Sequence, residues 1–136
     1  MNFNRLIPEL IVRELPVSLH FYRDVLGFGV TYERPEDGFV FLSYQGSQLM
    51  LEQENGANWT TGGLQYPRGR GINFQIETDD LAVVAAALQQ HDVALFRPPT
   101  ENWYRTTDGL EGVVELLVQD PDGYLLRFQQ LLNATL

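Results

Sequence analysis

A chain of 136 residues is long enough for one ordinary globular domain and too short for two independent ones, and without cysteine it can build neither a disulfide framework nor a thiolate metal site. Eighteen acidic residues stand against nine basic ones, all arginine, and the net charge of −9 argues against a nucleic-acid partner, which needs a basic surface to displace phosphate counterions. Residues 1–15 carry Arg5, Glu9, Arg13 and Glu14 without a useful apolar run, and no segment approaches the length of a membrane span. A cytoplasmic protein with no membrane association is the expectation.

In chain order, a strand over Pro8 to Arg13 leads into a helix that begins at Leu15 and is closed by Gly27. Pro16 suits the first helical turn, where its missing N–H costs nothing, and Glu14 sits at the positive end of the helix dipole. Ser18, Phe21, Tyr22, Val25 and Leu26 form a core-facing stripe at helical spacing. After Glu33-Arg34-Pro35 come two strand candidates, Phe39 to Tyr44 and Gln48 to Glu54. Asn55 to Arg70, with several glycines, a proline, Trp59 and Tyr66, reads as a connector. Its glycines lack the Gly-Lys-Ser/Thr of a phosphate loop and no strand feeds them as in a dinucleotide fold, so nucleotide binding carries little weight.

The same order then repeats. A strand at Gly71 to Glu77 precedes a helix running from an acidic cap at Asp79 or Asp80 through His91. Phe96-Arg97-Pro98 echoes Glu33-Arg34-Pro35, and Trp103 and Tyr104 fall in a loop between Pro98-Pro99 and Gly109. Strands at Val113 to Gln119 and Tyr124 to Gln129 flank Asp120-Pro121-Asp122-Gly123. That tetrapeptide has the chemistry of a type I turn: Asp bonds the backbone ahead of it, Pro presets φ, and Gly closes the fourth position. Each half is therefore βαβββ.

Strand periodicity separates two faces. Leu10 and Val12, Leu49 and Leu51, and Ile72, Phe74 and Ile76 are expected under the helices. The opposite face is mixed: Ile7, Glu9, Ile11 and Arg13 on the first strand, then Gln48, Met50, Glu52 and Glu54. Its second half carries Asn73, Gln75 and Glu77, then Leu125, Arg127 and Gln129. Nucleophilic chemistry finds no support, since there is no cysteine and no histidine placed near Ser18, Ser43 or Ser47. His20 and His91 fall in helices. Glu9 and Glu52 are a carboxylate pair of a kind able to do acid/base work, but such pairs on opposing strands are common.

Together, Ser18-x-x-Phe21-Tyr22-x-x-x-Leu26-Gly27-Phe28 and Asp120-Pro121-Asp122-Gly123-Tyr124 resemble the vicinal oxygen chelate superfamily of glyoxalases, extradiol dioxygenases and bleomycin-resistance proteins, over nearly the whole chain. The resemblance implies an α+β fold in which two βαβββ modules form a curved, cup-shaped mixed β-sheet with helices on the outside. Residues 1–136 would then be a single domain, with module one at about 5–54, a connector at 55–70 and module two at about 71–132. The metal enzymes of this superfamily hold a divalent ion with four side chains, usually His and Glu, one from each of four strands. The matching positions here are Ile7, Glu52, Asn73 and Arg127, with the period-two pattern favouring Glu52 over Leu51. Only Glu52 suits a metal, and the Arg127 guanidinium repels a cation and has no lone pair to give. No metal and no cofactor are expected. Glu52 and Arg127 are left either to pair across the cup floor or to contact a ligand directly.

Pro8-Glu9-Leu10, Leu49-Met50-Leu51-Glu52 and Leu125-Leu126-Arg127 look most like the metal-free bleomycin-resistance branch. That likeness implies a homodimer with exchanged strands and grooves between subunits, holding a large cationic, aromatic antibiotic without altering it. The expected ligand-binding residues are Glu9, Met50, Glu52, Asn73, Trp103, Tyr104 and Arg127. Glu54 and Glu77 would add negative charge, and Trp59 and Tyr66 further stacking surface. The competing expectations are a glyoxalase-like lyase or extradiol-dioxygenase-like metalloenzyme with an atypical site, and a small-metabolite sensor or assembly module.

Overall fold

A computed structural model describes residues 2–132, and contacts divide the chain after Arg68 into two compact units. The first unit runs β1 (Glu9–Val12), α1 (Leu15–Leu19), a π-helical continuation (His20–Val25), β2 (Gly29–Arg34), β3 (Phe39–Tyr44) and β4 (Ser47–Gln53). The second runs β5 (Asn73–Glu77), α2 (Leu81–Gln90), β6 (Arg97–Thr106), β7 (Gly109–Gln119) and β8 (Leu125–Leu131). The sheet orders are β1-β4-β3-β2 and β5-β8-β7-β6. In each, the first strand pairs in parallel with the last and the remaining pairs are antiparallel. The chain is thus α+β, one βαβββ module used twice.

The helix of unit 1 forms on the expected stripe: Ser18, Phe21, Tyr22, Val25 and Leu26 are all buried. Its second half widens, with the Leu26 N–H bonding the Phe21 carbonyl at 3.0 Å, five residues back. Gly27 ends it at φ +86°, a left-handed conformation that suits glycine. Tyr22 meets Phe28 edge-on at 5.4 Å, and Phe28 stacks on Tyr44 at 4.9 Å. This anchors the helix over the sheet face carrying Val40, Leu42, Leu49, Leu51, Leu10 and Val12, all buried. In unit 2, Leu81, Val84 and Leu88 of α2 are buried with Ile76, Leu116, Val118, Leu126 and Phe128. The acidic cap of α2 is Asp80, whose side chain accepts the Ala82 N–H at 3.0 Å. Among the described residues no helix is long and apolar enough to cross a membrane.

Two expectations need correction. Trp103 and Tyr104 lie on strand β6, not in a loop. Pro98-Pro99 is tolerated there because β6 is an edge strand of its sheet and the pairing with β7 slips between Arg97 and Thr100, where no ladder donor is required. Ile72 lies before β5 and is 52% exposed, so the helix covers Ile76 and, in part, Phe74. Ile11 keeps its expected place on the mixed face, where it is buried.

The β7–β8 turn forms as its sequence dictates. The Gly123 N–H bonds the Asp120 carbonyl at 2.9 Å, and Gly123 takes φ +94°. The buried Asp120 carboxylate accepts the N–H groups of Asp122 and Tyr124, each at 2.9 Å. Removing it strands two buried donors, each costing about 1–3 kcal/mol. Asp120→Ala should therefore lower unfolding stability by about 2–3 kcal/mol in a urea titration, with Asp120→Asn milder because one acceptor oxygen remains. An Ala variant as stable as the parent would contradict this account of the turn.

Candidate functional site

On the sheet face away from the helix, register sets unit 1 side chains in two rows. Glu9, Met50, Phe41 and Tyr32 form one, and Ile11, Glu52, Phe39 and Arg34 the other. Tyr32 stacks on Phe41 with ring centroids 5.2 Å apart, and Phe3 meets Phe41 edge-on at the same distance. The Arg34 guanidinium lies 4.0 Å from the Phe39 ring centroid and its Nε donates to Asp37 Oδ2 at 2.9 Å. Above these rows opens a cavity of about 700 Å³. Four carboxylates, Glu9, Glu36, Asp37 and Glu52, line it against one guanidinium, Arg34. Tyr32, Phe39, Met50 and the 95% exposed Trp59 give it aromatic and thioether surface. Glu52 Oε1 accepts a hydrogen bond from the Asn58 amide. Partial burial, then the nearby Glu52, raise the Glu9 pKa, with Arg34 opposing.

The corresponding face of unit 2 has different chemistry. Arg127 on β8 lies between Gln75 and Leu117, and its Nη1 is 3.6 Å from Oε2 of Glu115. Glu115 is buried and its Oε1 accepts from Asn102 Nδ2 at 3.0 Å and from the Tyr104 hydroxyl. That bond to Glu115 is the main cause of a raised Tyr104 pKa, burial adding to it and Arg127 opposing. A cavity of about 270 Å³ is lined by Asn73, Arg97, Tyr104, Glu115 and Arg127. A neighbouring one of about 240 Å³ shares Tyr104 and Arg127 and adds Gln75, Glu111 and Gln129.

Glu9, Met50 and Glu52 thus come together in unit 1, and Asn73, Tyr104 and Arg127 in unit 2. Glu52 is on the face opposite the buried Leu51, which fixes its register. Trp103 lines neither cavity. Its Nε1 donates to Glu101 at 2.8 Å and its ring covers Gly112, where an added Cβ would lie 2.6 Å from the indole. Glu54 lies past the end of β4 and its carboxylate is held by Arg68 at 2.6 Å, so its charge is already answered. Glu77 is exposed on β5. The carboxylate facing Arg127 within its unit is Glu115, where the sequence pointed to Glu52. His20 bonds Asp24 at 3.1 Å on the helix surface, and the His91 ring meets the Ala87 carbonyl at 2.9 Å at the end of α2.

Sequence reasoning missed Tyr32, Arg34, Glu36, Asp37 and Phe39 in unit 1, and Asn102 and Glu115 in unit 2. The signal for Phe39 and Glu115 was present, since each shares the period-two face of its strand neighbour, Glu52 and Gln129. Glu36 and Asp37 come from a 3-10 turn that strand periodicity does not reach.

The residues do not fit a divalent metal. Ile7 lies before β1 and has no donor atom, Asn73 offers an amide, Arg127 has no lone pair, and a Glu52 oxygen is engaged by Asn58. Among the described residues no three His, Cys, Asp or Glu side chains form a group able to hold a metal ion.

The sequence matches the Glyoxalase/Bleomycin resistance protein/Dioxygenase superfamily over residues 3–128, and the chain belongs to that superfamily. Its fold is similar to that of a virulence protein from Salmonella typhimurium, 19% identical, covering 97% of this chain and 100% of that one, with a TM-score of 0.69. It is similar to a glyoxalase/bleomycin resistance protein/dioxygenase from Alicyclobacillus acidocaldarius, 19% identical over 96% of this chain and 93% of that one, TM-score 0.64. It is also similar to TioX from Micromonospora sp. ML1, 16% identical over 95% and 100% of the two chains, TM-score 0.71. No curated protein matches the chain.

Two outcomes follow from the site. Because the raised Glu9 pKa means the folded state holds that proton more tightly than the unfolded chain does, Glu9 costs stability as pH rises above its ordinary 4.5. Glu9→Gln should raise the urea midpoint at neutral pH and leave it unchanged well below pH 4.5; an equal effect at both would remove the electrostatic explanation. Elemental analysis of purified protein should find no stoichiometric zinc, nickel, manganese or iron. One-to-one metal that Glu52→Ala removes would overturn the assignment of these positions.

Proposed function

We propose that the chain is a metal-free small-molecule binding protein of the bleomycin-resistance type, sequestering a cationic, aromatic, antibiotic-like ligand without altering it. The observation that carries this reading is the unit 1 cavity, where four carboxylates face one guanidinium beside Tyr32, Phe39 and Trp59. A cation gains from the carboxylates and from the ring faces, and a planar ring system gains stacking area. At about 700 Å³ the cavity falls in the usual range for drug-sized ligands. We further propose that the working form is a homodimer with ligand grooves shared between subunits, in keeping with the edge strands that each four-stranded sheet leaves, β1 and β2 in one and β5 and β6 in the other.

The test is thermal stabilisation across a library of planar aromatic cations, neutral aromatics, carboxylates and phosphates. A ligand at about a hundredfold excess over its dissociation constant should add roughly 2.7 kcal/mol to stability. Aromatic cations should stabilise the parent, and Glu52→Gln and Trp59→Ala should each weaken their binding about tenfold, roughly 1.4 kcal/mol. Stabilisation by anions alone contradicts the reading. So does turnover of hemithioacetal or catechol substrates, which would restore the enzyme. Sedimentation of the same samples tests the dimer: a monomer that keeps full affinity at micromolar concentration rules out a shared groove.

A further inference from the structure

The smaller cavity of unit 2 contains an ion pair whose hydrogen bonding is incomplete on both sides. Glu115 has 8% side-chain exposure; its Oε1 is used by Asn102 and Tyr104, while its Oε2 has no hydrogen-bond partner and faces Arg127 Nη1 at 3.6 Å. Arg127 Nε is also buried without a partner. Leaving a buried acceptor and a buried donor unmet is unfavourable, and both residues line one cavity. Arg97, on the same lining, is exposed and has no carboxylate partner among the described residues. Two guanidiniums against one carboxylate leave this cavity with an uncompensated positive charge, in a chain whose net charge is −9. Glu111 lines the adjoining cavity and not this one.

These three features specify a ligand in parts. The unpaired charge calls for one anionic group, and an Arg whose buried Nε has no partner can take a carboxylate side-on once the ligand draws that edge to the cavity wall. The unmet Glu115 oxygen calls for a hydrogen-bond donor next to that carboxylate. We propose that this cavity binds a small 2-hydroxycarboxylate, its carboxylate held by Arg127 and Arg97 and its hydroxyl donating to Glu115 Oε2. A plain carboxylate leaves Oε2 unmet, and a primary amide or a zwitterionic amino acid leaves the charge unbalanced. The volume of about 270 Å³ corresponds to roughly nine waters at about 30 Å³ each, which admits acids from glycolate to mandelate. This site does not rest on the cationic ligand proposed for unit 1, and each can fail without the other.

The experiment is isothermal titration of the full chain with glycolate, lactate and mandelate against acetate, propionate and phenylacetate, with alanine and lactamide as the zwitterionic and neutral arms. Nitrogen-15 spectra of the arginine Nε–H groups follow the same titrations. Each hydroxy acid should bind about tenfold or more tightly than its deoxy partner, because a site with a buried acceptor rejects the analogue that cannot fill it. The Arg127 Nε–H resonance should shift on binding. Arg127→Leu and Arg97→Gln should each weaken binding about tenfold or more, and Glu115→Gln should bring the hydroxy-to-deoxy ratio close to one. The parent protein's own ratio decides the matter even if a variant fails to fold. Equal affinity for hydroxy and deoxy acids, tighter binding of alanine or lactamide, or no binding at millimolar concentration would each overturn the site.

Discussion

The parallel addition of β1 to β4 is the constraint on which the chemistry of unit 1 depends. The Met50 N–H bonds the Pro8 carbonyl at 2.9 Å and the Glu54 N–H bonds the Val12 carbonyl at 2.8 Å, which sets Glu9 beside Met50 and Ile11 beside Glu52. A slip of one residue would turn Glu9 under the helix and Leu10 into the cavity, so burial of Leu10 and Val12 holds the register. Arg68 reinforces it from the open side of the strand. Its Nη1 donates to the Ile11 carbonyl at 3.0 Å and its Nη2 to Glu54 at 2.6 Å, so one buried guanidinium caps a sheet edge and draws part of the connector onto unit 1.

The two units use one topology for opposite electrostatic ends. β4 and β8 occupy the same place in their sheets, each between a parallel and an antiparallel neighbour. β4 presents Met50 and Glu52 where β8 presents Leu125 and Arg127. In unit 2 the buried Glu115 answers Arg127 directly, whereas in unit 1 Glu9 and Glu52 repel each other enough to help raise the Glu9 pKa. Like charges kept together on a partly buried face lower stability.

The fold was legible because its signals are local and periodic: the helical stripe from Ser18 to Leu26, the Asp80 cap, and the Asp120 turn each act within a few residues. What sequence could not supply were pairings between distant segments. Glu54 counted as cavity charge until Arg68, fourteen positions on, claimed it. Glu115 shares a period-two face with Gln129, but its ion pair with Arg127 needs the β7–β8 register to be known. The pair Pro98-Pro99 suggested a loop through Trp103 and Tyr104, and edge position overrode that local signal. Of the seven expected site residues, six divide between two cavities and Trp103 lines neither, a division that periodicity, blind to contacts, does not encode.

Arg34 lines the unit 1 cavity with a charge of the chain's own. Its guanidinium is planar and cationic, and it rests 4.0 Å from the Phe39 ring with Asp37 on its edge. The ion pair to Asp37 is exposed on both sides, so it contributes little and holds Arg34 weakly. The ring contact is therefore the more specific part of the arrangement, in which an aromatic floor and flanking carboxylates receive the chain's own flat cation. The planar cation proposed for this cavity would meet groups already arranged for such a shape. It must displace only a weakly held side chain, and once displaced, Arg34 can remain solvated at the rim, which keeps the cost of opening the site small against the gain of filling it.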